Sequence, residues 1–335
     1  MAFETSMTNL TQPNSSELQK IKKDKTVLIT DYYNTPNTSL LIFHFEPHCF
    51  KSSHERIQTC LIHHASIESK DLYIFDNYFQ ENEQVEIRNY FGNEKTMYSR
   101  YSYSTSERIK EGEKPGYSMN MKERWKLFSN PPQAIQEAHK LLSYLSFHLN
   151  AEISTAPWEL CHEVTEAPTV APSVIVNFHT EVSKETMEIG KHQDFKPDKG
   201  VFFGIPVLYK NPGAYHDPCF ENGATGKPWL VSLMLYSSSE HFLPEHRMGS
   251  VFYTLDGKDA VKVNCQNSRF VLFEGDILHN CEESTIPPGL KLWRISYVLK
   301  LIINPRNEKQ RVKEMFSKLL RSPLNEMTPG ANTRI

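Results

Sequence analysis

From Ser173 to Ile303 the chain repeats one pattern, short apolar runs cut off by glycine, proline or a polar cluster. The runs are Ser173–His179, Val201–Tyr209, Leu230–Tyr236, Ser250–Leu255, Ala260–Val263, Phe270–Phe273 and Leu290–Ile303. Such runs, bounded by turn residues, read as β-strands. Shorter β-rich runs precede them at Val27–Thr30, Leu40–Phe45, Thr59–His63 and Leu72–Phe75. Helical spacing appears in three places. Gln80–Phe91 mixes apolar and charged residues, and Asn307–Leu320 is a charged amphipathic segment. Between them, Pro131-Pro132 opens a helix running to about Leu149, where Ile135, Ala138, Leu142, Leu145 and Leu149 form one apolar stripe.

Many short strands braced by a few helices imply an α+β fold. The expected core is a double-stranded β-helix, a jelly roll of cupin-like form, with the long helix on the outer face of one sheet. The expected organisation is a polar tail over 1–24, one domain over 25–320 and a second tail over 321–335. Within the domain, 25–170 supplies N-terminal strands and buttressing helices, 171–305 the jelly-roll core and 306–320 a closing helix.

Composition narrows the function classes. Lys and Arg are dispersed and the formal charge is −3, so no basic stripe implies a nucleic-acid partner. The six cysteines form no CxxC pair, which argues against a zinc knuckle or a thioredoxin-like motif. The N-terminal segment lacks the apolar region of a secretory signal, and runs such as Leu230–Tyr236 are too short to span a bilayer. The expectation is a cytoplasmic protein with no membrane contact and no obligate protein partner.

The chemistry lies in His192-Gln193-Asp194, His279 and Arg294-Ile295-Ser296. Positions i and i+2 of an extended segment face the same way, so His192 and Asp194 would present an imidazole and a carboxylate to one point. His279 follows the Phe270–Phe273 strand and the Gly275-Asp276 turn, and a jelly roll can bring it across to them. Two histidines and a carboxylate occupy one face of an octahedral Fe(II) ion and leave the other positions open. On the last strand Arg294 and Ser296 share an otherwise apolar face, where a guanidinium is costly unless it meets an anion. His44-Phe45-Glu46 has similar ligand spacing, but no downstream partners follow it.

With this HxD…H…RxS pattern, the segment from Ser173 to Pro305 resembles the catalytic core of the Fe(II)/2-oxoglutarate-dependent dioxygenases. The resemblance implies that His192, Asp194 and His279 bind iron, with Arg294 and Ser296 on the C5 carboxylate of 2-oxoglutarate. Asn177 stands where some plant-type members place a tyrosine that contacts the co-substrate. O2 and 2-oxoglutarate would be consumed, with succinate and CO2 released as a substrate C–H bond is broken. Because Asp194 keeps its carboxylate, hydroxylation, desaturation or ring closure, including kainoid-type cyclisation, is expected rather than halogenation. The expected substrate is a small molecule of amino-acid kind, with Tyr98, Arg100, Tyr101, Arg108 and Trp125 as candidate contacts. The Gly/Pro-rich stretch Lys196–Lys227 is a candidate lid, and Cys281 a passive neighbour of the metal. Two alternatives stand beside this reading: hydroxylation of a protein side chain, and a non-catalytic jelly-roll binding protein.

Overall fold

The computed structural model describes residues 55–57, 59–92, 98–100, 117–119, 123, 127, 131–155, 174–180, 182, 191–194 and 221–321. The tail over 1–24, the runs Val27–Thr30, Leu40–Phe45 and Val201–Tyr209, and 322–335 lie outside the described residues, as does the expected lid up to residue 220.

Among the described residues twelve strands form two sheets. They are β1 (Leu61–Ile67), β2 (Lys70–Phe75), β3 (Tyr98–Arg100), β4 (Tyr117–Met119), β5 (Ala151–Thr155) and β6 (Val174–His179). The second half supplies β7 (Trp229–Ser238), β8 (Ser250–Tyr253), β9 (Asp259–Val263), β10 (Phe270–Glu274), β11 (Leu278–Cys281) and β12 (Arg294–Pro305). The major sheet runs β1-β2-β10-β7-β12-β6-β4-β3, with β5 also paired to β12, and the minor sheet runs β11-β8-β9. All named pairings are antiparallel.

From β6 onward the chain alternates between the sheets. β6 and β7 lie in the major sheet, β8 and β9 in the minor, β10 in the major, β11 in the minor and β12 in the major. Between β6 and β7, His192 pairs with His279 of β11 and so extends the minor sheet by one bridge. This winding is the double-stranded β-helix expected from the sequence. Some boundaries differ: Thr59 and Cys60 are helical, so the first strand starts at Leu61 rather than Thr59, the run from Ser250 ends at Tyr253 rather than Leu255, and the last strand starts at Arg294 rather than Leu290.

The period of two explains why the middle strands are covered on both sides. Trp229, Val231, Leu233 and Leu235 of β7 face a large helix-side core, as do Ile295, Tyr297, Leu299, Leu301 and Ile303 of β12. Their alternates, Met234 and Tyr236 of β7 and Val298 of β12, face a second core between the sheets with Leu72, Ile74, Val271, Phe273, Phe252 and Ile277. Every residue of β7 and of β12 is buried, as expected of strands covered on both faces.

The helix-side core is closed by α1 (Glu81–Phe91), α2 (Gln133–His148) and α3 (Val312–Arg321). The apolar stripe of α2 is buried as expected, with Ile135, Ala138 and Leu149 at 0% exposure. Pro132 precedes its first turn, and the Glu86 carboxylate of α1 accepts hydrogen bonds from the backbone N–H groups of Gln133 (2.9 Å) and Ala134 (3.0 Å). These are two of the donors that a helix start leaves without intrahelical partners. In the minor sheet, Gly249 allows a close backbone approach. A Cβ there would lie 1.9 Å from the Val263 carbonyl oxygen, so only glycine lets the chain enter β8 against β9.

Candidate metal centre

His192 and His279 exchange two backbone hydrogen bonds, His192 N to His279 O at 3.0 Å and His279 N to His192 O at 2.9 Å. This antiparallel bridge places the two imidazoles on one side with ring centroids 4.5 Å apart. Among the described residues His192 forms an isolated bridge and Asp194 lies in a bend, so the pairing with β11 orients the segment. Asp194 Oδ1 lies 3.5 Å from His192 Nε2, and Oδ2 lies 3.8 Å from His279 Nε2. One ligand atom from each of His192, Asp194 and His279 falls within 4.8 Å of the others.

Neighbouring groups favour the protonation states that a cation requires. His279 Nδ1 lies 2.9 Å from the Ile277 carbonyl oxygen, so Nδ1 carries the proton and Nε2 presents its lone pair to Asp194. The ring is packed between Phe252 and Phe273, and burial lowers its pKa to about 3, leaving it neutral. Burial alone would raise the Asp194 carboxyl, but the charge of Lys300 beside it outweighs burial and holds it well below the usual range. Asp194 Oδ2 accepts hydrogen bonds from Ser232 Oγ at 2.5 Å and from the Lys300 ammonium. Asp194 Oδ1 is buried and has no hydrogen-bond partner among the described residues. A buried carboxylate oxygen without a donor is costly. With two imidazole lone pairs beside it, this one fits a divalent cation of first-row type.

The second half of the site is Arg294, only 3% exposed at the start of β12. Its guanidinium touches Cys281 Sγ and lies 6.0 Å from the centre of the Tyr236 ring, while Nε has no partner among the described residues. No carboxylate pairs with it among the described residues. Burial raises the Cys281 thiol, so the sulfur on the guanidinium is neutral and does not offset its charge. Ser296 is buried two residues further on, with Asn177 and Tyr236 opposite it on β6 and β7. Asn177 Oδ1 is buried and has no hydrogen-bond partner among the described residues. The Tyr236 hydroxyl lies 2.6 Å from Ser250 Oγ, joining the two sheets below Arg294. The arrangement provides a buried cation and polar groups beside a candidate metal position, which suits an anion chelated at one end and held at the other.

Of the candidate substrate residues, the backbones of Tyr98 and Arg100 lie on β3 at the edge of the major sheet, two strands from β6. Tyr101, Arg108 and Trp125 lie outside the described residues. Three neighbours of the site were not assigned from the sequence: Ser232, Tyr236 and Lys300. Each sits in a run read as core strand, yet the period of two places Lys300 in step with Arg294 and Ser296, and that signal could have found it. Cys281, taken as a passive neighbour of the metal, instead contacts Arg294.

No family model matches the sequence, and no curated protein matches it. Among solved structures, the chain is similar to the non-heme alpha-ketoglutarate-dependent epimerase SnoN from nogalamycin biosynthesis. That overlap has 8% identity and a TM-score of 0.36, covering 86% of this chain and 93% of the other. It is also similar to a prolyl 4-hydroxylase from Phytophthora capsici, at 12% identity and a TM-score of 0.36, over 82% of this chain and 77% of that one. A prolyl-4-hydroxylase from Pseudomonas putida overlaps at 10% identity and a TM-score of 0.31, over 70% and 93%. With scores of this size, the functional reading rests on the triad and the buried guanidinium rather than on these overlaps.

Proposed function

We propose that this chain is an Fe(II)- and 2-oxoglutarate-dependent oxygenase acting on a small molecule. The carrying observation is the convergence of His192, Asp194 and His279 within 4.8 Å beside an Arg294 that has no carboxylate partner among the described residues. Two imidazoles and one carboxylate would hold the metal on one side. When bound, Fe(II) supplies the redox chemistry by which O2 and 2-oxoglutarate become succinate and CO2 while a substrate C–H bond is oxidised.

The chain's own residues supply binding and exclusion of water. Arg294 offers paired N–H donors that match a carboxylate, and Ser296 adds a hydroxyl for the C5 end of the co-substrate. Asn177 lies opposite Ser296 and contributes a further polar contact on the β6 side. Phe252, Phe273 and Ile277 keep the His279 side dry, which strengthens each polar contact there. The near-balanced charge of −3 and the dispersed basic residues support a small substrate over nucleic acid. Tyr98, Arg100, Tyr101, Arg108 and Trp125 remain its proposed contacts, with an amino-acid-like compound as the class. Hydroxylation, desaturation and ring closure are all compatible with a triad that retains its carboxylate.

The test is succinate release from 2-oxoglutarate by protein loaded anaerobically with Fe(II), measured after admitting O2 with a panel of amino acids and small acids. Succinate should depend on iron, 2-oxoglutarate and O2, rise with one member of the panel and vanish in Asp194→Ala. Full turnover by Asp194→Ala would overturn the metal assignment. Its absence in the wild type, despite bound iron and co-substrate, would favour a binding protein.

A further inference from the structure

Lys300 has no counterpart in the ligand set read from the sequence. It sits on the inward face of β12 in step with Arg294, Ser296 and Val298, directly opposite Ser232 on β7, and is 6% exposed. Its ammonium contacts Asp194 Oδ2 and lies 3.3 Å from Ser232 Oγ. An ammonium at this depth is costly unless an anion neutralises it, and Asp194 does so. The Ser232 hydroxyl already donates to the same oxygen at 2.5 Å, so orientation of the carboxylate alone does not require a positive charge.

The charge changes how the site meets a metal. Without one, Asp194 and Lys300 cancel, and the buried carboxylate has a counter-ion. A divalent cation arriving at Oδ1 must share the carboxylate with an ammonium already bound to it, and the two cations repel across a dry site.

We propose that Lys300 is a resident cation that competes with the metal for Asp194 and keeps metal binding readily reversible. The inference rests on the reading of His192, Asp194 and His279 as metal ligands. Lys300 is thus a positioning residue with two linked roles: it stabilises the metal-free fold and weakens the metal-bound one. Removing its charge must lower metal-free stability and tighten metal binding together, because both effects stem from the same carboxylate.

The experiment compares wild type, Lys300→Gln and Lys300→Arg by Co(II) titration of the full-length, metal-free protein. Visible absorption and calorimetry report binding, and thermal unfolding is measured with and without metal. In Lys300→Gln, Co(II) should bind about tenfold tighter, equivalent to about 1.4 kcal/mol. Its Tm should fall in the metal-free state and match the wild type when Co(II) is saturating. Lys300→Arg, which keeps the charge, should retain the wild-type Kd. A Kd in Lys300→Gln that is unchanged or weaker, with Tm lowered equally in both states, would overturn the proposal and make Lys300 an ordinary structural residue. If Lys300→Gln folds only when saturating Mn(II) is present, that supports the proposal, whereas failure with and without metal overturns it. A wild type whose Co(II) binding is indifferent to Asp194→Ala would instead overturn the metal-centre reading itself.

Discussion

Arg294 is the residue whose burial most needs a ligand to explain it. Among the described residues its guanidinium meets a neutral thiol and an aromatic face, with no partner for Nε and no carboxylate. If the co-substrate supplies the missing anion, Arg294→Gln should raise the KM for 2-oxoglutarate by about tenfold or more, since a hydrogen bond to a charged group is worth about 1.5–3 kcal/mol. Steady-state succinate kinetics measure this, and an unchanged KM would assign the arginine to packing. Arg294 was legible because its charge interrupts an apolar strand, and His192, Asp194 and His279 because a histidine and a carboxylate two apart are followed by a histidine beyond a strand and turn. Lys300 and Ser232 were less so. Each reads as a stray polar residue within an apolar run; the period of two puts Lys300 on the face of Arg294, but its contact with Asp194 comes from the pairing of β7 and β12, which sets it opposite Ser232.

At the level of elements, the many short strands of a jelly-roll core were readable from apolar runs and turn residues, while their order in the sheets, the starts of the first and last strands and the bridge at His192 were not. The bridge depends on two backbone hydrogen bonds to β11, a long-range pairing that local pattern cannot encode. The docking of α3 on the major sheet is likewise tertiary. Glu274 at the end of β10 is 1% exposed, accepts a hydrogen bond from Asp71 N at 2.8 Å and meets Lys313 of α3 at 2.5 Å. Burial, only partly offset by Lys313, pushes its pKa from 4.5 to about 7. With the folded pKa raised, the folded state binds the proton more tightly. The stabilisation is therefore complete below about 4.5 and is lost as pH rises through about 7. Glu274→Gln removes this dependence. Denaturant titrations should show the stability of the wild type relative to the variant falling between those two values, and a difference flat with pH would contradict the assigned burial.

Across the whole molecule, the site exists only where two sheets meet. The minor sheet and its bridge carry His279 and His192, while the major sheet carries Ser232, Tyr236, Arg294 and Lys300. The Tyr236–Ser250 hydrogen bond ties the sheets at 2.6 Å. No helix among the described residues is long and apolar enough to cross a membrane. The most direct measurement is a crystal structure of the full chain grown anaerobically with Mn(II) and 2-oxoglutarate. The account predicts one metal held by His192, Asp194 and His279, with the far carboxylate of the co-substrate on Arg294. A metal bound elsewhere, or a co-substrate that leaves Arg294 without an anion, would contradict it.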